Sequence, residues 1–157
     1  MKIVSNSSPL ITLAKIGMLD ILRRHELVIP KAVFDEITKS KKEYAKELYE
    51  WGKDKVIGVE NKKAVEYLEL MIDRGETETI VLAEEINADA VLIDDLKARR
   101  IANLRGLNVI GTIGVLLDAK EEGIIHELKP LLDEQIKKKI RISKELYEHA
   151  LELANEK

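Results

Sequence analysis

Residues 90–100, Ala90-Val91-Leu92-Ile93-Asp94-Asp95-Leu96-Lys97-Ala98-Arg99-Arg100, decide the fold. A short apolar run ends in two adjacent acids and passes directly into a stretch of helical period. Working outward, the same rhythm recurs: β-branched apolar runs at Lys2–Ser5, Leu27–Ile29, Val56–Val59, Ala90–Ile93 and Asn108–Ile110 alternate with longer amphipathic segments. That is the pattern of parallel strands joined by crossover helices, and it predicts an α/β fold. The predicted helices are Pro9–Ile16, Met18–Arg24, Lys31–Ser40, Tyr44–Lys53, Lys62–Asp73, Glu76–Ile86, Leu96–Arg105, Ile113–Glu122, Pro130–Lys138 and Lys144–Asn155. Pro9 and Pro130 suit first turns, Thr112 and Ser143 suit N-caps, and Gly106 and Gly123 sit where helices should stop.

The 157 residues suffice for one core, and 45% hydrophobic with 35% charged residues excludes collagen-like and disordered classes. The absence of cysteine excludes disulfides, a thiol nucleophile and a zinc ribbon. Three scattered histidines, His25, His126 and His149, argue against an imidazole-rich metal site. The N-terminal apolar stretch is broken by Asn6-Ser7-Ser8-Pro9 and no run of 18 apolar residues occurs, so a soluble cytoplasmic protein with no membrane association is expected. A net charge of -3 supplies no global pull toward nucleic acid; such binding needs a local patch. The Lys/Glu-rich, cysteine-free usage is that of hyperthermophile proteins.

In an open parallel sheet, ligands bind beyond the carboxyl ends of the strands. The polar residues there are few. Asn6-Ser7-Ser8-Pro9 opens a helix and reads first as a cap. Glu36 reads alone as a solvated charge, and Glu76 and Glu78 as acids favoured by a helix N-terminus. Asp94 and Asp95 are the most informative, because adjacent carboxylates repel unless a positive charge lies near. A hard divalent cation with oxygen ligands would supply it, polarising a phosphate oxygen and lowering the pKa of bound water; helix capping is the competing reading. The helix after Asp95 carries Lys97, Arg99, Arg100 and Arg105 with no acid, a patch suited to a phosphate backbone. No glycine-rich dinucleotide fingerprint, phosphate loop or nucleophile elbow is present.

Taken in register, residues 3–11 (Ile-Val-Ser-Asn-Ser-Ser-Pro-Leu-Ile), 28–37 (Val-Ile-Pro-Lys-Ala-Val-Phe-Asp-Glu-Ile), 75–80 (Gly-Glu-Thr-Glu-Thr-Ile), 90–95 and 111–117 (Gly-Thr-Ile-Gly-Val-Leu-Leu) resemble PIN-domain proteins, most closely the prokaryotic branch related to VapC-type toxin ribonucleases. The resemblance implies a three-layer α/β/α domain over residues 1–125 with a parallel sheet in order 3-2-1-4-5. It also implies an acidic cluster holding Mg²⁺ or Mn²⁺ for RNA cleavage. By position, the family's acids fall on Asn6, Glu36, Glu78 and Asp95, with Glu76 the rival of Glu78 and Asp94 beside Asp95; Ser8 and Thr112 are accessory. Lys97, Arg99 and Arg100 would position RNA. Asn6 stands where the family usually carries Asp, which removes one negative charge and weakens cation binding. Two readings follow: an active ribonuclease, extending to the toxin of a toxin–antitoxin pair, or an inactive PIN-like module that binds RNA or a protein. Residues 126–157 add two amphipathic segments. One has Leu131, Leu132, Gln135 and Ile136 on one face, the other Leu146, Tyr147, Ala150, Leu151 and Ala154. They are expected to pack on the same domain, the alternative being a homodimer face or an antitoxin-like partner groove.

Overall fold

The computed structural model describes residues 1–39 and 41–157; the predicted end of the Lys31–Ser40 helix at Ser40 lies outside them. Five strands, β1 (Lys2–Ser5), β2 (Glu26–Pro30), β3 (Val56–Ile57), β4 (Ala90–Leu92) and β5 (Val109–Ile110), form one sheet in the order β3-β2-β1-β4-β5. Every pairing is parallel, with Val4 opposite both Val28 and Val91, Ile29 opposite Val56, and Leu92 opposite Ile110. This is the order the family resemblance implies.

The helices are α1 (Ser7–Lys15), α2 (Lys31–Ile37), α3 (Ala45–Gly52), α4 (Lys62–Leu68), α5 (Arg74–Glu85), α6 (Leu96–Leu104), α7 (Thr112–Glu121), α8 (Lys129–Lys137) and α9 (Lys144–Leu153). Strand side chains alternate between the two sheet faces, and both faces are covered. Ile3, Leu27, Ile29 and Leu92 pack with Leu10 and Leu13 of α1, Val33 of α2 and Leu116 of α7. Val4, Val28 and Val91 pack on the opposite side with Val65 of α4, Ile80 and Leu82 of α5 and Ala98 of α6. Burial on both faces is why these strands read as continuous apolar runs.

Several boundaries differ from the sequence expectation; the helix expected over Lys31–Ser40 already stops at Ile37, with Thr38 as its C-cap. The segment expected as one helix over Lys62–Asp73 stops at Leu68, because Asp73 caps the next helix: its side chain accepts from the Glu76 N–H at 2.8 Å and Glu76 returns a bond from the Asp73 N–H at 3.3 Å. Leu19–Arg24, within the expected Met18–Arg24 helix, is a 3-10 helix. The strand expected over Val56–Val59 pairs only at Val56–Ile57. Thr112 is not an N-cap but the first residue of α7; Gly111 is the cap. Gly106 and Gly123 do stop helices, at φ 83 and 78, the left-handed region glycine enters without a Cβ penalty.

Leu128 and Leu132 of the α8 region and Ala150, Leu151 and Ala154 of the α9 region are buried in the same cluster as Ile3 and Leu10. The Glu156 carboxylate accepts from the backbone N–H groups of Leu128 and Lys129 and from Lys120, tying the chain end to α7 and α8. Among the described residues no helix is long and apolar enough to cross a membrane.

Candidate functional site

Chain order reverses between β1 and β4, so the crevice of this sheet opens where those two strands end. The Asn6 N–H donates to the Leu92 carbonyl at 3.0 Å, which places Asn6 beside Ile93-Asp94-Asp95. Asn6 is the N-cap of α1 and 5% exposed, yet its side chain makes no capping hydrogen bond. The side chain lies instead against α5: a Cβ built on Gly75 would stand 3.3 Å from Asn6 Oδ1. Capping therefore does not explain Asn6.

The acids divide into two groups by what their oxygens touch. Both oxygens of the buried Glu78 are engaged: Oε1 accepts from the Ala32 N–H at 3.0 Å and Oε2 from Arg74 Nε at 2.9 Å, bridging α5 to the start of α2. Asp94 accepts from the Thr112 N–H at 2.8 Å and the Thr112 hydroxyl at 2.5 Å, holding α7 to the end of β4. These two carboxylates hold elements together.

Glu76, Asp95 and Glu36 form the second group. Burial, then the charge of Asp73, pushes the Glu76 carboxyl up to about 7; the hydrogen bond from the Asp73 N–H pulls it down, and Asp95 and Glu36 add smaller upward pushes. Glu76 thus feels three other carboxylates at one corner of the sheet. Asp95 Oδ2 caps α6 through the Ala98 N–H at 2.9 Å, and its residue remains exposed. Asp73, Glu76, Asp95 and Lys97 line a shallow cavity of about 470 Å³, with Leu70, Met71 and Ile72 forming its apolar wall. Asp73 is the neighbour of Glu76 that the sequence alone does not single out. Its Asp-x-x-Glu spacing is a capping-box signature that also predicts the orientation of Glu76.

The basic patch divides in the same way. Arg99 Nη1 donates to the Ile93 carbonyl at 2.7 Å and stands against Gly111, where a Cβ would meet Nη1 at 2.7 Å and Asp94 Oδ1 at 3.0 Å. Arg105 pairs with Glu84 at 2.8 Å. Lys97 and Arg100 are exposed. Ser8 is exposed at the start of α1 and, with Thr112, lines a second, larger cavity beside Asp94.

Asn6, Glu36, Glu76 and Asp95 offer only amide and carboxylate oxygen, the donors a hard divalent cation takes. Among the described residues no three His, Cys, Asp or Glu side chains stand together as a ready-made metal cage. The set fits a cation held by few protein oxygens and several waters, the usual Mg²⁺ arrangement, rather than an enclosed site.

A three-layer α/β/α domain with this strand order is the architecture of the PIN class. The chain belongs to the DUF3368 family, a PIN domain, which it matches over residues 2–156 and so through both C-terminal helices. No curated protein and no solved structure matches it.

Proposed function

We propose that this protein is a divalent-cation-dependent ribonuclease, with Asn6, Glu36, Glu76 and Asp95 as the residues that would hold Mg²⁺ or Mn²⁺. The observation that carries this reading is the Glu76 carboxyl, raised to about 7 first by its burial and then by the charges of Asp73, Asp95 and Glu36, at the edge where Asn6 and Asp95 also stand. The caps that Glu76 and Asp95 supply need one oxygen each and no neighbouring charge, so crowding beyond them is a feature perturbed functional sites share. A bound cation would offset this charge, polarise a phosphate oxygen and lower the pKa of a water. Asp95 keeps its position because it caps α6, and Glu76 because it closes the capping box with Asp73. Lys97, on the cavity wall, and Arg100, on the same helix, would take the RNA backbone. Glu78 and Asp94, placed by position among the cation ligands, serve in this proposal as supports.

A specific observation favours the second reading, an inactive module that binds RNA or protein: Asn6 lacks the charge of an acid, and among the described residues no three acids stand together as a metal cage. One experiment separates the two. The pure protein is incubated with Mn²⁺ and a panel of structured RNAs beside Asp95→Ala and Asn6→Asp. Cleavage by the natural chain that Asp95→Ala abolishes supports the nuclease. Cleavage by Asn6→Asp alone assigns the natural chain to the inactive class. A toxin role extends the first reading and predicts that expression arrests growth and that a neighbouring gene product relieves it.

A further inference from the structure

A cavity of about 860 Å³, larger than the one at the acidic corner, has Asp94 on its wall. Its walls are β5 and the first turns of α7 (Val109, Ile110, Ile113, Gly114), closed over by Gln135 and the segment around Ile140–Ile142. The size is that of a small-molecule site. Gln135 is the unusual member. It is 2% exposed, and its Nε2 has no hydrogen-bond partner among the described residues. A buried amide donor without a partner is costly, and a native chain retains one where something else supplies the acceptor.

We propose that this cavity receives one unstacked nucleobase of the RNA substrate and that the Gln135 carboxamide reads its edge. The inference rests on the ribonuclease reading above. A purely hydrocarbon ligand would leave the amide unsatisfied, whereas a heterocycle carries donors and acceptors at its rim and two flat faces that Ile113, Ile140 and Ile142 can sandwich. Sequence-specific RNA recognition commonly works on splayed-out bases read at their edges. Arg141, exposed on the cavity wall, gives the attached phosphate a cationic partner; the Thr112 N–H at the start of α7 is already taken by Asp94. Ser8 and Asp94 also line this cavity, so a base seated there joins a backbone that continues past Asp95 to the acidic corner.

The test is equilibrium binding of AMP, CMP, GMP and UMP by calorimetry at millimolar concentration, without metal, to the natural chain, Gln135→Leu and Gly114→Met. A Cβ on Gly114 meets nothing within 4 Å, so methionine there can fill the cavity without disturbing its backbone. The natural chain should bind one nucleotide about tenfold or more tighter than the weakest of the four, the discrimination of a good amide–base pair. Gln135→Leu should keep or raise the melting temperature while levelling the four affinities, and Gly114→Met should weaken all four about tenfold. Failure of all four nucleotides to saturate the natural chain overturns the proposal. So does a base preference that survives Gln135→Leu. Nucleotide binding with no RNA cleavage under any metal would overturn the ribonuclease reading and leave the pocket standing; cleavage with no nucleotide binding would do the reverse.

Discussion

Replacing Glu76 by glutamine should make the protein more stable at alkaline pH while abolishing its response to Mn²⁺. The folded state holds the Glu76 proton up to about pH 7, whereas an ordinary glutamate releases it near 4.5. Between those values the folded chain binds more protons than the unfolded one, so stability falls as pH rises through the window. At about 1.4 kcal/mol per pH unit, the loss reaches roughly 3 kcal/mol above pH 8 and stays under about 1 kcal/mol at pH 5. Glutamine keeps the capping-box acceptor for the Asp73 N–H and deletes the charge; its new amide hydrogens face the carboxylates of Asp73, Asp95 and Glu36. Urea unfolding at pH 8.5 should therefore show a gain of about 2–3 kcal/mol, roughly 4–10 °C in melting temperature for a chain of this size. At pH 5 the two proteins should nearly coincide. Mn²⁺ should raise the melting temperature of the natural chain and leave that of Glu76→Gln unmoved. Equal stability at pH 8.5, or equal pH slopes between 5 and 8.5, would refute the argument that Glu76 is held among unneutralised acids.

Four further substitutions test the division between supports and site. Glu78→Ala should lower stability by about 1–3 kcal/mol, because it strands the Ala32 N–H at the start of α2; chemical denaturation at pH 7 reads it. Gly111→Ala should cost about 1–3 kcal/mol, since its Cβ meets Arg99 Nη1 and Asp94 Oδ1 inside van der Waals distance while both are held by other bonds. Arg100→Ala should weaken RNA binding with little dependence on sequence and lower its salt slope by about 1, whereas Arg99→Ala should act mainly on stability by releasing the Ile93 carbonyl. Filter binding across a salt series, beside a melting curve, separates them; identical effects of the two changes would sink the distinction.

What periodicity determines was legible without coordinates. The doubly buried strands at Ile3-Val4 and Val91-Leu92 can sit only inside an α/β sheet, and the polar residues at their carboxyl ends, Asn6 and Asp94-Asp95, mark its crevice whatever the loops do. Gly106 and Gly123 announced helix ends because the left-handed conformation excludes most other residues. Which acids face one another was not legible, because side-chain partners are chosen across the sheet rather than along it. Glu76 and Glu78 are two residues apart on one helix, and a turn of 100° per residue sends them in different directions. Only the packing of α2 against α5 brings the Ala32 N–H to Glu78 and leaves Glu76 among Asp73, Asp95 and Glu36. In the same way, a run of lysine and arginine after Asp95 reads as one basic patch, but the close approach of Gly111 removes Arg99 from it. Local composition thus determined the fold and the edge at which its polar residues gather; tertiary contact decided which carboxylates are bound as supports and which surround Glu76.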